Sequence, residues 1–123
     1  MKIAYINPVG GVSGDMLVAA LLDSGGDESR LLDDLHRLSL PHWQWQRQED
    51  IRQGFGGSKI EFVLVDKVKQ KSRHLTEIIE IVKNARFPKA VEAMILKTFS
   101  LLADAEANAH RIDREQLHFH EVG

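Results

Sequence analysis

The chain has 123 residues, with 16 Lys plus Arg against 18 Asp plus Glu and a formal net charge of −2, a balance that argues against a dedicated nucleic-acid binder. Apolar residues make up 43% of it, ordinary for a globular domain, and the longest apolar run, Met16 to Leu22, is too short to span a bilayer, so no membrane segment is expected. Cysteine is absent and the opening Met1-Lys2-Ile3-Ala4-Tyr5 lacks a signal-peptide core, so a cytoplasmic chain is expected in which nitrogen and oxygen hold any metal.

Lys2 to Ile6 is a short β-favouring run, ended by the glycine-rich Pro8-Val9-Gly10-Gly11-Val12-Ser13-Gly14, which predicts a strand followed by a loop. Met16 to Leu22 predicts a buried helix, with Ser13 or Asp15 able to cap its first turn and Gly25-Gly26 to stop it. After Asp27, the spacing of Leu31, Leu32, Leu35 and Leu38 predicts an amphipathic helix that ends before Pro41. Trp43 and Trp45 then alternate with Gln44 and Gln46, and beyond Gly54-Phe55-Gly56-Gly57 the residues Ile60, Phe62 and Leu64 alternate with Glu61, Val63 and Val65. Two antiparallel strands joined through the glycine segment follow from that period.

Lys67 to Arg73 is a mostly basic link, after which Leu75, Ile78, Ile79 and Val82 predict a helix over roughly 74–84. Pro88 suits a helix first turn, and Val91, Ile95, Thr98, Leu102, Ala105 and Ala109 make the following helix the longest. A turn or short helix at Ile112 to Gln116 leads into a last extended run, Leu117 to Val122. With no repeat or long linker, residues 1–123 read as a single domain. The expected fold is α/β, an α+β sandwich with a small mixed sheet and about four to five helices in the order β-α-α-β-β-α-α-β. A helix-rich arrangement whose last strand lacks its neighbour competes with it.

Three groups of residues could carry chemistry. Gly10, Gly11, Ser13 and Gly14 sit between a predicted strand and a helix, where free N–H groups could cradle a phosphate, although neither a P-loop nor a dinucleotide fingerprint is present. Asp15 in the same turn could instead satisfy those N–H groups itself or offer oxygen to a hard cation. His118 and His120, at i and i+2, point to one face of an extended strand and could converge on a metal, with Glu121 adjacent; exposed or packed histidines are the plain alternative. Glu106 and His110 share a helix face as an ordinary i, i+4 pair or as a source of a third imidazole. His36, His42 and His74 have no ligand-spaced partner and read as surface or packing residues, Trp43 and Trp45 as a core or interface anchor, and the basic link as a solvated loop. No Ser/His/Asp set can be assembled.

Taken together, Met1-Lys2-Ile3-Ala4-Tyr5-Ile6, Gly11-Val12-Ser13-Gly14-Asp15-Met16 and the closing Leu117-His118-Phe119-His120-Glu121-Val122-Gly123 resemble the LarC-type nickel insertion proteins, which mature the nickel-pincer cofactor of lactate racemase. Gly54 to Gly57, Arg73-His74-Leu75 and Ala105-Glu106-Ala107 with His110 agree with the same family. The resemblance implies an N-terminal domain of a longer protein, a metallochaperone-like enzyme that inserts Ni(II) into pyridinium-3,5-bisthiocarboxylic acid mononucleotide with a carbon–nickel bond. That reaction depends on CTP and a divalent metal such as Mg or Mn, with CTP bound in the C-terminal part, so this chain alone is expected to be inactive.

Carried over by position, the motif falls on Ser13, Gly14 and Asp15 and on His118, His120 and Glu121; the hypothesis built on it takes His118, His120 and Asp15 as metal ligands, Asp15 and Glu121 as catalytic carboxylates, and Gly10, Gly11, Ser13 and Gly14 as a loop facing the precursor phosphate. The expected partners are that mononucleotide, the protein's own C-terminal domain and a second copy of the chain. Two departures from the family pattern are Asn7-Pro8-Val9 in place of an acidic residue after the first run, and Lys67 to Ser72 in place of a histidine-rich loop. The rivals are a non-catalytic scaffold or oligomerisation domain, which would expose an apolar patch near Leu117, Phe119 and Val122, and a metal-independent phosphate-binding module.

Overall fold

The computed structural model describes residues 3–40, 43–65 and 72–119. Helices α1 (Gly14–Asp23) and α2 (Glu28–His36) come first. The hairpin strands β1 (Trp43–Arg52) and β2 (Phe55–Leu64) follow, then a two-residue strand β3 (Arg73–His74), helices α3 (Leu75–Asn84) and α4 (Lys89–His110), a 3-10 turn at Arg114–Gln116, and strand β4 (His118–Phe119). The mixed α and β class expected from the sequence is what forms. The order differs in detail, because the β elements make two separate antiparallel pairs, β1 with β2 and β3 with β4, in place of one mixed sheet. Among the described residues, 3–6 join no ladder, so the first predicted strand is replaced by a loop whose Ile3 and Tyr5 are 80% and 89% exposed.

The chain divides into two compact units, Met1–Ser29 with His42–Asp66, and Arg30–Pro41 with Lys67–Gly123. In the first, every residue from Trp43 to Arg52 is paired with one from Phe55 to Leu64, so the hairpin is longer than the alternation around the tryptophans predicts. The link is the two-residue turn Gln53-Gly54, both at positive φ (52° and 84°), the combination that matches the right-handed twist of a hairpin. Gly56 and Gly57 lie inside β2. Trp43, Trp45, Arg47, Ser58, Ile60, Phe62 and Leu64 share one face by register. Helix α1 packs on β2, and Ala19, Leu22 and Ile60 are buried.

Polar groups then tie the end of α1 and the start of α2 to that face. Asp23 accepts from the Ser58 backbone N–H at 2.9 Å and hydroxyl at 2.6 Å. Arg47 donates to Asp23 at 2.9 Å and to Glu28 at 2.6 Å, while the Trp45 indole donates to the other Glu28 oxygen at 2.8 Å. The Trp45 and Phe62 rings meet edge to face at 5.2 Å, which is the packing role expected for the tryptophans.

The second unit is built on α3 and α4. Its core joins Ile78 and Val82 of α3, Ala103 of α4, and Leu117 and Phe119 at the chain's end, with Phe99 edge to face on Phe119 at 6.0 Å. Leu117 and Phe119 are 2% and 0% exposed. The apolar surface patch that a scaffold role would place at Leu117 and Phe119 is therefore absent there; Val122 lies outside the described residues. No helix among the described residues is long and apolar enough to cross a membrane.

Candidate functional site

In the first unit, Val12 and Ser13 lead into α1 from a turn in which the Gly11 N–H donates to the Pro8 carbonyl at 3.1 Å. Gly10 and Gly11 have φ of 84° and 98°, a left-handed conformation that glycine adopts without steric cost. Space beside Gly10, Gly11 and Gly14 is open. Ser13 is the N-cap residue, and its carbonyl takes the first helical bond, from Leu17 at 3.0 Å. Its hydroxyl donates to the Asp15 carboxylate and not to the backbone.

That hydroxyl is the largest influence and holds the Asp15 carboxyl below its ordinary value; desolvation, next in size, opposes it, and the N–H groups of Met16 and Asp15 and the Lys59 ammonium add smaller lowering contributions. Asp15 is therefore ionised at neutral pH. It serves as an oxygen ligand or a charge partner more readily than as a strong base, since a lowered pKa weakens proton affinity. It borders a cleft of about 290 Å³ between α1 and the hairpin, where Arg52, Phe55 and Lys59 also stand. Arg52 and Lys59 carried no sequence signal, because each looks like an ordinary solvent-side residue of an alternating strand; only the fold sets them beside Asp15.

In the second unit, His118 stands opposite His74 across the β3–β4 ladder. Their ring centroids are 3.6 Å apart, tilted by 43°. This corrects the expectation that His74 has no partner of ligand type. The two were unreadable as a pair because their spacing belongs to tertiary structure: the loop, α3 and α4 lie between them. His74 caps α3, with its backbone N–H donating to the Glu77 carboxylate at 2.9 Å, and its Nδ1 lies 3.1 Å from the Leu117 carbonyl. His120 and Glu121, the other carried-over site residues, lie outside the described residues, as does His42. No group of three or more metal-binding side chains occurs among the described residues.

Comparison with known proteins gives one consistent result. A family model described as "Nickel insertion protein" matches residues 4–123. The chain is 39% identical, over all 123 of its residues, to a Desulfitobacterium hafniense protein named pyridinium-3,5-bisthiocarboxylic acid mononucleotide nickel insertion protein, of which it covers 30%. It is 30% identical to a protein of the same name from Geobacillus kaustophilus and 29% identical to one from Thermotoga sp. strain RQ2, with the whole chain aligned in each case and 32% and 33% of those relatives covered. The chain thus spans about a third of the length of the curated relatives it matches. No solved structure matches it.

Proposed function

The chain belongs to the nickel insertion protein family, and from that premise we propose that it is the N-terminal domain of a cytoplasmic, CTP-dependent nickel insertase. The longer protein would insert Ni(II) into pyridinium-3,5-bisthiocarboxylic acid mononucleotide to form the nickel-pincer cofactor used by lactate racemase. The observation that carries this reading is the alignment of the whole chain, at 39% identity, with a relative named for that insertion. The presence of Ser13-Gly14-Asp15 and of His118-x-His120 supports it, as does the pairing of His118 with a second imidazole in a chain without cysteine.

Nickel is cargo in this reaction. His118 and His120 carry nitrogen donors suited to a borderline divalent ion. Asp15, in the first unit, is the oxygen donor that the family motif carries over. Forming a carbon–nickel bond at a ring carbon displaces the proton held there, and a carboxylate next to the metal can accept it. Glu121 is the better candidate for that step, because Asp15 is held in its ionised form by Ser13. The Gly10 to Gly14 loop faces the precursor phosphate in this scheme. CTP, with Mg or Mn, acts in the portion of the relatives that this chain does not cover.

The test uses the longer protein, with cofactor formation as the readout. Asp15→Asn and Glu121→Gln should each reduce nickel insertion, and full activity in both variants would remove these carboxylates from the mechanism. The scaffold reading draws on a different observation, the exposed Ile3, Tyr5, Ile6 and Val9 before α1. It is favoured if both variants are active and the isolated chain self-associates.

A further inference from the structure

The His74–His118 pair has geometry that packing alone does not require. Directly opposed residues of an antiparallel pair project to the same side of the ladder with closely spaced Cβ atoms, so these two imidazoles share one local surface. His118 is exposed and His74 half-buried, so solvent and ions reach them. Meanwhile the backbone beneath them is fixed. Leu117 and Phe119 on either side of His118 are buried in the core, and the His74 N–H is held by Glu77.

The hydrogen bond at His74 determines its chemistry. A carbonyl oxygen only accepts, so the contact between Nδ1 and the Leu117 carbonyl, 3.1 Å, places the proton on Nδ1 and leaves the lone pair on Nε2. Metal-binding histidines are commonly oriented in this way, with the second ring nitrogen donating to a backbone carbonyl. The carbonyl belongs to the residue just before His118, so one short segment supplies one imidazole and fixes the tautomer of the other.

We propose that His74 and His118 jointly ligate one first-row divalent transition cation, His74 through Nε2. This deepens the nickel-handling reading and rests on it for the identity of the cation. Rotation of the His118 ring about its side-chain torsions, with His74 kept on the Leu117 carbonyl, turns the present tilted arrangement into a converging one without moving β3 or β4. A site with two protein nitrogens and open remaining positions suits transfer, because an incoming acceptor can displace solvent from the ion before the histidines release it. His74 thereby adds a ligand that the His118-x-His120 spacing does not contain.

The experiment is calorimetric titration of the 123-residue chain with Ni²⁺ and, separately, Zn²⁺, repeated for His74→Ala, His74→Asn and His118→Ala, together with ring ¹⁵N shifts of the wild-type histidines on adding Zn²⁺. Asparagine keeps a side-chain N–H able to donate to the Leu117 carbonyl while removing Nε2, so it separates ligation from packing. Each variant should weaken binding at least about tenfold, and the His74 ring nitrogens should shift. Wild-type affinity for both ions in His74→Asn, or unmoved His74 nitrogens in the wild type, overturns the proposal; the wild-type shifts decide if the variants do not fold. Binding of Zn²⁺ but not Ni²⁺ through His74 leaves the pair standing and removes nickel from it. Ni²⁺ binding that needs His118 but not His74 does the reverse, and no binding of either ion overturns both.

Discussion

The Asp23 carboxylate receives both the backbone N–H and the hydroxyl of Ser58, at 2.9 and 2.6 Å, from the hairpin strand on which α1 packs. Ser58 lowers the Asp23 pKa more than Arg47 does. At Glu28 the order is Arg47 first, then the Trp45 indole. Four residue pairs, Asp23–Ser58, Asp23–Arg47, Glu28–Arg47 and Glu28–Trp45, thus hold the α1–α2 connection against the hairpin.

Acid should loosen this unit. Asp23 and Glu28 are both held below their ordinary values, 3.8 and 4.5, so the folded state prefers them ionised. That contribution is fully present above those values, begins to fade as the pH falls below them and is lost through the lower folded-state pKa values. Acid unfolding followed by Trp fluorescence should show a transition in wild type that Asp23→Asn moves to higher pH and makes less steep; an unchanged curve would mean that these links are not coupled to folding.

Ser13 should control the ionisation of Asp15. Since the hydroxyl hydrogen bond is the largest cause of the lowered value, Ser13→Ala should raise the Asp15 pKa toward 3.8. A side-chain carboxyl ¹³C titration measures it directly. No movement would leave the first-turn N–H groups as the controlling partners.

The second unit should be most sensitive at its last strand. Phe119 is fully buried among residues of α3 and α4, and Phe119→Ala should cost about 3–5 kcal/mol by transfer and cavity effects. Urea unfolding measures the loss. A cost below about 1 kcal/mol would contradict the packing described.

The hairpin turn should tolerate improvement. Gln53 sits at φ 52°, where a residue with a Cβ is strained and Asn or Gly is at ease. Gln53→Asn should therefore stabilise the hairpin by up to about 1 kcal/mol, read as a higher Tm. A lower Tm would show that the glutamine side chain has a role of its own.

Much of this architecture was legible because it is local. Apolar periodicity located α2, α3 and α4, a continuous apolar run located α1, and the alternation of Ile60, Phe62 and Leu64 found β2. Alternation failed for the rest of the hairpin, where Gln48, Glu49 and Asp50 are polar on both faces and pairing alone makes the strand. The run at 3–6 has β-favouring residues but meets no partner among the described residues, and propensity cannot supply a ladder. The site was legible where spacing is short, as for Ser13 with Asp15. It was hidden where the fold does the joining: Lys59 and Arg52 reach the Asp15 cleft through the hairpin register, and His74 meets His118 only across the β3–β4 ladder.

Nickel handling by this chain is proposed to run through its closing histidines. Calorimetric titration of the chain with Ni²⁺, alongside the double variant His118→Ala/His120→Ala, tests it most directly. One-site binding is expected in the wild type, disappearing in the double variant while the far-UV circular dichroism stays the same. Equal Ni²⁺ affinity in the two proteins, or none in either, would contradict it.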